Sequence, residues 1–530
     1  MVNKKLQVWL PLLFSLVLVL GMFFGYRLAA KNGSTASFFS SNKRNTLQEA
    51  MDLIRLKYVD SVKLDSLQGE AIQDMMEGLD PHSVYLPPVD LKAANEDLAG
   101  NFKGIGVEFN IFGDTVNVVN VFTGGPSEKA GVQIGDKIIR VNDSSLTRKG
   151  MTIEEMKKLI RGEEGTIAKL DLLRNGKLLT LPVTRGTIPV SAVDAAYISS
   201  PGVGYIRLSK FTDQSYEEFM AALEGLLKQG MKSLVFDLRG NGGGFMNEAV
   251  DMADEFLDGD KLVVYTEGIN SRRAEYRCKR KGLFETGKLV ILVDELSASA
   301  SEVLAGALQD WCRATIVGRR TFGKGLVQQQ YGLSDGSALR LTVARYYTPL
   351  GRSIQRSYGK GKKVYMDELW SRYSSGEMVS VDSFKSHNTG KVFYNNCKDT
   401  LYGGDGISPT YFVSIDTSQS MQRVLHLLNN ADFNSVVYNY YLSHKTQVEQ
   451  YKSLPDFVNG FNAGDMWSSF TSRYNDSFHL QTTAGRDREL VEQRLKALLA
   501  RYRWRNAGYF QVLNSQDAVV KKALELINKP

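Results

Sequence analysis

LVILVDELSASASEVLAGALQD, residues 289–310, changes its pattern within a few positions. Leu289–Val293 is an unbroken apolar run, as expected of a strand covered on both faces. From Ser301 to Asp310 small and apolar residues follow helical spacing. A buried strand feeding a helix through a short Ser-Ala turn is the unit of a βαβ sheet. The rhythm continues outward on both sides. Val203–Leu208 reads as a strand. Ser215 and Glu218 have capping-box spacing and open a helix whose apolar face is Phe219, Leu223, Leu226 and Leu227, stopped by Gly230. Leu234-Val235-Phe236 is a buried strand ending in a Gly-rich turn, Met246–Phe256 a helix, and Thr315-Ile316-Val317 a further strand. These elements predict a mostly parallel sheet with helices against it.

Three loops at the ends of predicted strands carry the chemistry. They are Asp237-Leu238-Arg239-Gly240-Asn241-Gly242-Gly243-Gly244, Ser297-Ala298-Ser299-Ala300-Ser301-Glu302, and Thr321-Phe322-Gly323-Lys324-Gly325 followed by Gln328. A serine at a helix N-terminus sits beside unpaired backbone N–H groups that favour a developing oxyanion. Its hydroxyl needs a base. No histidine lies between Val203 and Gln330, and no G-x-S-x-G elbow occurs. Lys324, between two glycines, is the better candidate: buried, its amine loses protons more readily than the ordinary ~10.4 allows. Gln328 or Glu302 would orient that amine. Gly242 or Gly243 offers one N–H to the oxyanion, and Ala300 the second.

The rest of the chain sets limits. Its 530 residues suffice for several domains, and 43% hydrophobic with 23% charged residues is ordinary globular composition. A net charge of +7 over this length does not imply nucleic-acid binding. The basic cluster Arg272, Arg273, Arg277, Lys279, Arg280 and Lys281 reads as a solvated loop. Three cysteines without C-x-x-C argue against zinc and against a disulfide scaffold. The five scattered histidines contain no H-E-x-x-H, and neither a metal nor another cofactor is expected. Leu6–Tyr26 is uncharged between Lys5 and Arg27 and is about the ~20 residues a membrane-spanning helix needs. An uncleaved anchor is favoured over a signal peptide, with the remainder of the chain facing the cell envelope from an inner membrane. Ser34–Arg44 reads as a linker, and Thr46–Glu77 has helical periodicity.

Between Phe102 and Thr187, Gly turns separate β-rich runs. Thr152 and Glu155 form a capping box before a helix. The order of these elements, with PSEKAGVQIGDKIIRVN at 126–142, resembles a PDZ domain. The resemblance implies a groove for an extended peptide, with Gly104, Ile105 and Gly106 as the loop that captures a free carboxylate.

DLRGNGGG, DELSASASEVLAGALQD and VGRRTFGKGLVQQ together resemble the C-terminal processing peptidases, or tail-specific proteases. Lys324 follows Ser299 by 25 positions (324 − 299), as the family pattern requires. Asp80-Pro81-His82-Ser83 resembles the family's signature ahead of its PDZ domain. The resemblance implies a serine endopeptidase with Ser299 as nucleophile, Lys324 as base and Gln328 orienting it; the loops themselves suggest Gly243 and Ala300 as the oxyanion-hole donors. It implies a multidomain α/β chain with a ClpP/crotonase-like peptidase core and an inserted PDZ domain. The expected divisions are an anchor and linker over 1–36, a helical segment over 37–100, the PDZ domain over 101–187, the core over 188–410 and a helical C-terminal extension over 411–530. The expected partners are protein substrates with free, unstructured C-termini. The helical ends leave room for a homodimer or an adaptor that no motif specifies. The family pattern departs at Gly242, where many members carry Pro or Ser. Two other readings compete. One is a PDZ scaffold on a dead core, which predicts loss of Ser299 or Lys324. The other is a nucleotide enzyme, since Gly318 to Lys324 nearly spells a P-loop, with Gly325 where Ser or Thr should hold magnesium.

Overall fold

The computed structural model describes residues 9, 11, 14–24, 46–147, 151–386, 390–428, 431–478 and 485–529. The chain divides into two compact units, Met1–Ile72 and Gln73–Pro530. In the first, Thr46–Lys57 is helical, and Leu64 begins a second helix that ends at Glu77. The single periodic stretch read over Thr46–Glu77 is thus two helices. The Ser34–Arg44 linker and the flanking Lys5 and Arg27 lie outside the described residues. Residues 14–24 of the apolar run are helical. Among the described residues no helix is long and apolar enough to cross a membrane.

In the second unit, Asn101–Gly104 pairs antiparallel with Gly186–Pro189, closing the entry and exit of a small β domain. Its main path runs Val107–Phe112, Thr115–Val121, Lys137–Val141, Ile167–Arg174 and Lys177–Thr184. Alternation along these strands sends Val116, Val118, Ile138, Leu170 and Leu172 into one core. Asn175 and Gly176 both take positive φ, 49° and 78°, as a two-residue hairpin requires. The Thr152–Glu155 capping box is present, with Glu155 N–H donating to Thr152 Oγ1 at 3.2 Å and Thr152 N–H to Glu155 Oε2 at 2.8 Å.

The central sheet has six strands in the order Val193–Ser200, Val203–Leu208, Ser233–Asp237, Leu289–Val293, Thr315–Gly318, Tyr411–Phe412. All neighbours are parallel except the first pair. Period-two alternation divides each strand between two cores. Leu289, Ile291 and Val293 face helices Ser215–Lys228, Met246–Asp254 and Ala300–Asp310. Val290 and Leu292, with Val203, Tyr205, Val235 and Val317, are covered by Val519, Val520, Ala523 and Ile527 of helix Ala518–Asn528. The sheet therefore takes its sixth strand and the cover of its second face from residues beyond 410. The remaining C-terminal helices share their own core around Phe433, Val437, Phe457, Met466, Leu495 and Leu499. They touch the β domain where Tyr438 Oη donates to Val118 O at 3.3 Å and Arg505 to Val121 O at 2.8 Å.

A second sheet of five strands escaped the sequence reading. Val84–Leu86, Ala338–Tyr347, Leu262–Gly268 and Ser271–Arg277 lie in that order, with Leu326–Gly332 also on Ala338–Tyr347. Of the basic stretch read as a loop, Arg272, Arg273 and Arg277 belong to its edge strand, Ser271–Arg277, whose exposed charges guard that edge, while Lys279, Arg280 and Lys281 lie in the loop that follows. Two further local readings change. Ser215 and Glu218 do not cap one another: Glu218 accepts from Ser191 Oγ and from the Ala192 and Val193 N–H groups, while Ser215 Oγ donates to Thr212 O. Two of the three cysteines, Cys312 and Cys397, form one disulfide.

Candidate active site

Ser299 lies where the buried strand Leu289–Val293 has ended and helix Ala300–Asp310 begins. Its φ of 56° and ψ of −113° are strained for a residue with a side chain, a state that typically costs ~1–3 kcal/mol and persists only when the surroundings enforce it. The enforcing contacts can be named. Ser297 Oγ donates to Leu238 O at 2.8 Å, Ala298 N–H to Asn241 O at 3.0 Å and Ser301 Oγ to the same oxygen at 2.9 Å. The serine loop is thereby stitched to the Gly-rich loop. A Cβ on Gly243 would fall 2.7 Å from Ser299 Cβ and 2.8 Å from Ala298 O, and its φ is +97°, so only glycine fits.

Glu302 is fully buried and binds both sides of the site. Its Oε2 accepts from the N–H groups of Ser299 (2.9 Å) and Lys324 (2.8 Å); its Oε1 accepts from Gly323 N–H (2.7 Å) and Thr321 Oγ1 (2.5 Å). Burial pushes its carboxyl up, and these donors pull it back. Glu302 thus fixes the backbone under Ser299 and Lys324 and does not bond the lysine amine.

That amine donates to Gln328 Oε1 at 3.0 Å, and Gln328 Nε2 donates to His82 O at 2.5 Å. Burial lowers the Lys324 pKa first and the Arg340 cation lowers it further, while Glu302 and Asp80 oppose them. Asp80 Oδ1 accepts from the His82 and Ser83 N–H groups at 2.9 and 3.0 Å, and Ser83 Oγ accepts from Thr342 N–H at 3.1 Å. The Asp-Pro-His-Ser stretch therefore docks on strand Ala338–Tyr347 and holds Gln328. The His82 ring is turned to Tyr365 Oη at 2.9 Å, and burial, then the charge of Lys324, lowers its pKa to about 4.

Ser299, Lys324, Gln328, Gly242 and Gly243 line one cleft of about 800 Å³, with Arg340 and Tyr346 also in its wall. Burial pushes the Tyr346 phenol up to about 12, opposed by its hydrogen bond with Ser299. Among the described residues the Ala300 and Gly242 N–H groups have no acceptor, whereas Gly243 N–H donates to Asn241 Oδ1 at 2.9 Å. Gly104, Ile105 and Gly106 lie apart from this cleft, in the β domain, with Ile105 O and Gly106 O accepting from Ser127 and Phe122 N–H at 2.9 and 3.1 Å. Sequence reasoning missed Asn241, Tyr346 and Arg340. Tyr346 and Arg340 belong to the unread second sheet, whereas Asn241 was quoted in the Gly-rich loop without its role. The P-loop reading fails, because the segment after Lys324 is the strand Leu326–Gly332 and not a helix. Among the described residues no cluster of histidine, cysteine or acidic side chains could hold a metal ion.

The pattern described as peptidase family S41 matches residues 202–362, and that of a PDZ domain matches 103–184. The carboxy-terminal processing protease CtpA of Bacillus subtilis (strain 168) is 33% identical over 366 residues, 68% of this chain and 76% of that protein. A probable CtpA-like serine protease of Staphylococcus aureus (strain N315) is 37% identical over 345 residues, 64% of this chain and 68% of the relative. Among solved structures, the photosystem II D1 C-terminal processing protease is 34% identical, with a TM-score of 0.34 over 58% of this chain and 83% of that one. A third of the residues shared across three-quarters of a processing protease, with the S41 pattern running through both Ser299 and Lys324, make this chain a serine-type member of the carboxy-terminal processing proteases of peptidase family S41.

Proposed function

We propose that the chain is an endopeptidase that cuts envelope proteins near their C-termini with Ser299 as nucleophile and Lys324 as base. One observation carries this reading: a serine in strained backbone and a desolvated lysine, its amine fixed by Gln328, line the same cleft. Neutral Lys324 takes the Ser299 proton as the hydroxyl attacks a peptide carbonyl, and the ammonium then protonates the leaving amine. Ala300 N–H receives the oxyanion. The second donor comes from the Gly loop, as Gly242 N–H or as Gly243 N–H once it exchanges Asn241 Oδ1 for the substrate oxygen. Water then hydrolyses the acyl-enzyme. The PDZ domain captures the substrate's tail at Gly104–Gly106. Leu6–Tyr26 anchors the chain in the inner membrane with the catalytic part outside the cytoplasm. The Cys312–Cys397 disulfide supports that side, since such bonds persist in oxidising compartments.

The test is incubation of the protein with an unfolded substrate ending in a free apolar carboxylate, with products read by mass spectrometry. Internal cuts near that end are expected, and an intact substrate under all conditions would refute the reading. The pH profile is a second check. Activity needs the neutral amine, so kcat/KM rises as pH passes the folded Lys324 pKa, with its inflection below the ordinary ~10.4. A rate independent of pH across that range would remove lysine from the role. Gly243→Ala drives a methyl group into Ser299 Cβ and is expected to cost at least ~100-fold in kcat/KM. An unimpaired Gly243→Ala enzyme would show that the Gly loop does not abut the working serine.

A further inference from the structure

Arg340 stands on strand Ala338–Tyr347, opposite Gln330 on one side and Val84 on the other. Its half-buried side chain enters the wall of the cleft that holds Ser299 and Lys324. It is near enough to Lys324 for its charge to bias that amine. Yet its hydrogen bond is to a neutral group, Gln330 Oε1, at 3.3 Å. No carboxylate lies within ion-pair distance of it among the described residues. Several arginines of the core have carboxylate partners, Arg207 and Arg239 in Asp237, Arg319 in Glu295, Arg320 in Glu377 and Arg352 in Asp310, while Arg313 is satisfied by backbone carbonyls. The cleft's other cation, Lys210, is paired with Asp97. Asp97 acts on Arg340 only from beyond ion-pair distance, and the cleft's own acidic residue, Asp213, makes no ion pair with it, so with the base neutral Arg340 is a cation beside the cutting site with no carboxylate in contact. A guanidinium stays ionised when partly desolvated, and its planar fork fits a carboxylate with two parallel hydrogen bonds.

We propose that Arg340 determines specificity by binding a carboxylate of the substrate segment next to the cut bond. This rests on the reading of Ser299 and Lys324 as the cutting site. The carboxylate comes from an Asp or Glu side chain or from the substrate's own C-terminus. A chain carrying one would settle in the cleft with the scissile bond near Ser299, and an amide in its place would leave the cation unpaired.

Binding separates this idea from the catalytic assignment. Full-length Ser299→Ala protein would be titrated with three peptides spanning one mapped cut site. The first has Glu beside the bond and an amidated end, the second has Gln there and an amidated end, and the third has Gln and a free carboxylate. The amidated ends keep the PDZ loop from contributing to the first comparison. We expect the Glu peptide to bind about tenfold tighter than its Gln counterpart. The ratio should fall toward one in Ser299→Ala/Arg340→Gln and recover in part in Ser299→Ala/Arg340→Lys, all with matched thermal unfolding. If the free-carboxylate peptide shows the same Arg340-dependent gain, the anchor takes the chain terminus. Equal binding of all three peptides, or a preference that survives Arg340→Gln, overturns the proposal. Should the protein with Ser299 intact cut none of them while the Arg340-dependent preference stands, the catalytic assignment fails and the carboxylate site remains.

Discussion

Ser299→Ala and Lys324→Ala are each expected to lower kcat/KM by about 10⁴-fold. On the proposed reading, alanine at 299 removes the attacking oxygen. Alanine at 324 leaves that oxygen protonated, because the ring of His82, whose charge state Lys324 biases, is already turned to Tyr365. Arginine at 324 should be as inactive as alanine, since a guanidinium keeps its proton at any working pH. Mass-spectrometric cleavage assays on the three variants and the parent, at matched protein concentration, decide the matter. Cleavage at parental rates by Lys324→Arg would eliminate lysine as the base, whatever the fate of Ser299→Ala.

The second large effect belongs to Glu302. Four donors converge on this buried carboxylate, two of them the backbone N–H groups of Ser299 and Lys324. Glu302→Ala strands them in a space closed to water. An unsatisfied buried donor costs ~1–3 kcal/mol, so the variant should lose on the order of 3–5 kcal/mol and nearly all activity. Glu302→Gln is the sharper probe. Whichever way the amide turns, its NH₂ faces at least one backbone N–H, so a loss of about 1–3 kcal/mol is expected with Ser299 and Lys324 both shifted. Denaturant melts in a Ser299→Ala background avoid self-cleavage, and rates come from the variants with serine intact. If Glu302→Gln keeps both stability and rate, the carboxylate does not hold the two loops together.

What could be read from the sequence follows from how local each determinant is. The strand–turn–helix around Ser299 was legible because an all-apolar strand and a small-residue helix are contiguous. Gln328 was legible as one candidate partner of Lys324 because four residues carry the chain from the loop into the strand where the amide can reach back. Ser271–Arg277 was not: its side chains are mostly charged and exposed, and an edge strand shows no apolar alternation. Arg340 and Tyr346 were lost with that sheet. The spacing of Ser215 and Glu218 suggested a cap, but Glu218 satisfies the chain turning at Ser191–Val193, a contact between segments far apart in sequence. The choice between Gln328 and Glu302 as the lysine's partner likewise needed coordinates. Both lie within reach by sequence, and only geometry assigns the amide to the amine and the carboxylate to the backbone.

Arg239 of the Gly-rich loop is gripped on one side by Asp237 and on the other by Asp517, with Arg239 Nη1 to Asp517 Oδ2 at 2.9 Å. Asp517 also accepts from Val520 N–H at 2.8 Å, starting the helix that covers the second face of the central sheet. A ribosome delivers Ser299 and Lys324 long before it delivers Asp517, and domains begin to fold as they emerge. Until residues 517–528 arrive, one face of the sheet is bare and the loop beside Ser299 lacks its outer tether. The enzyme's birth is therefore timed: a nascent chain carries Ser299 and Lys324 but not yet the clasp that completes their setting.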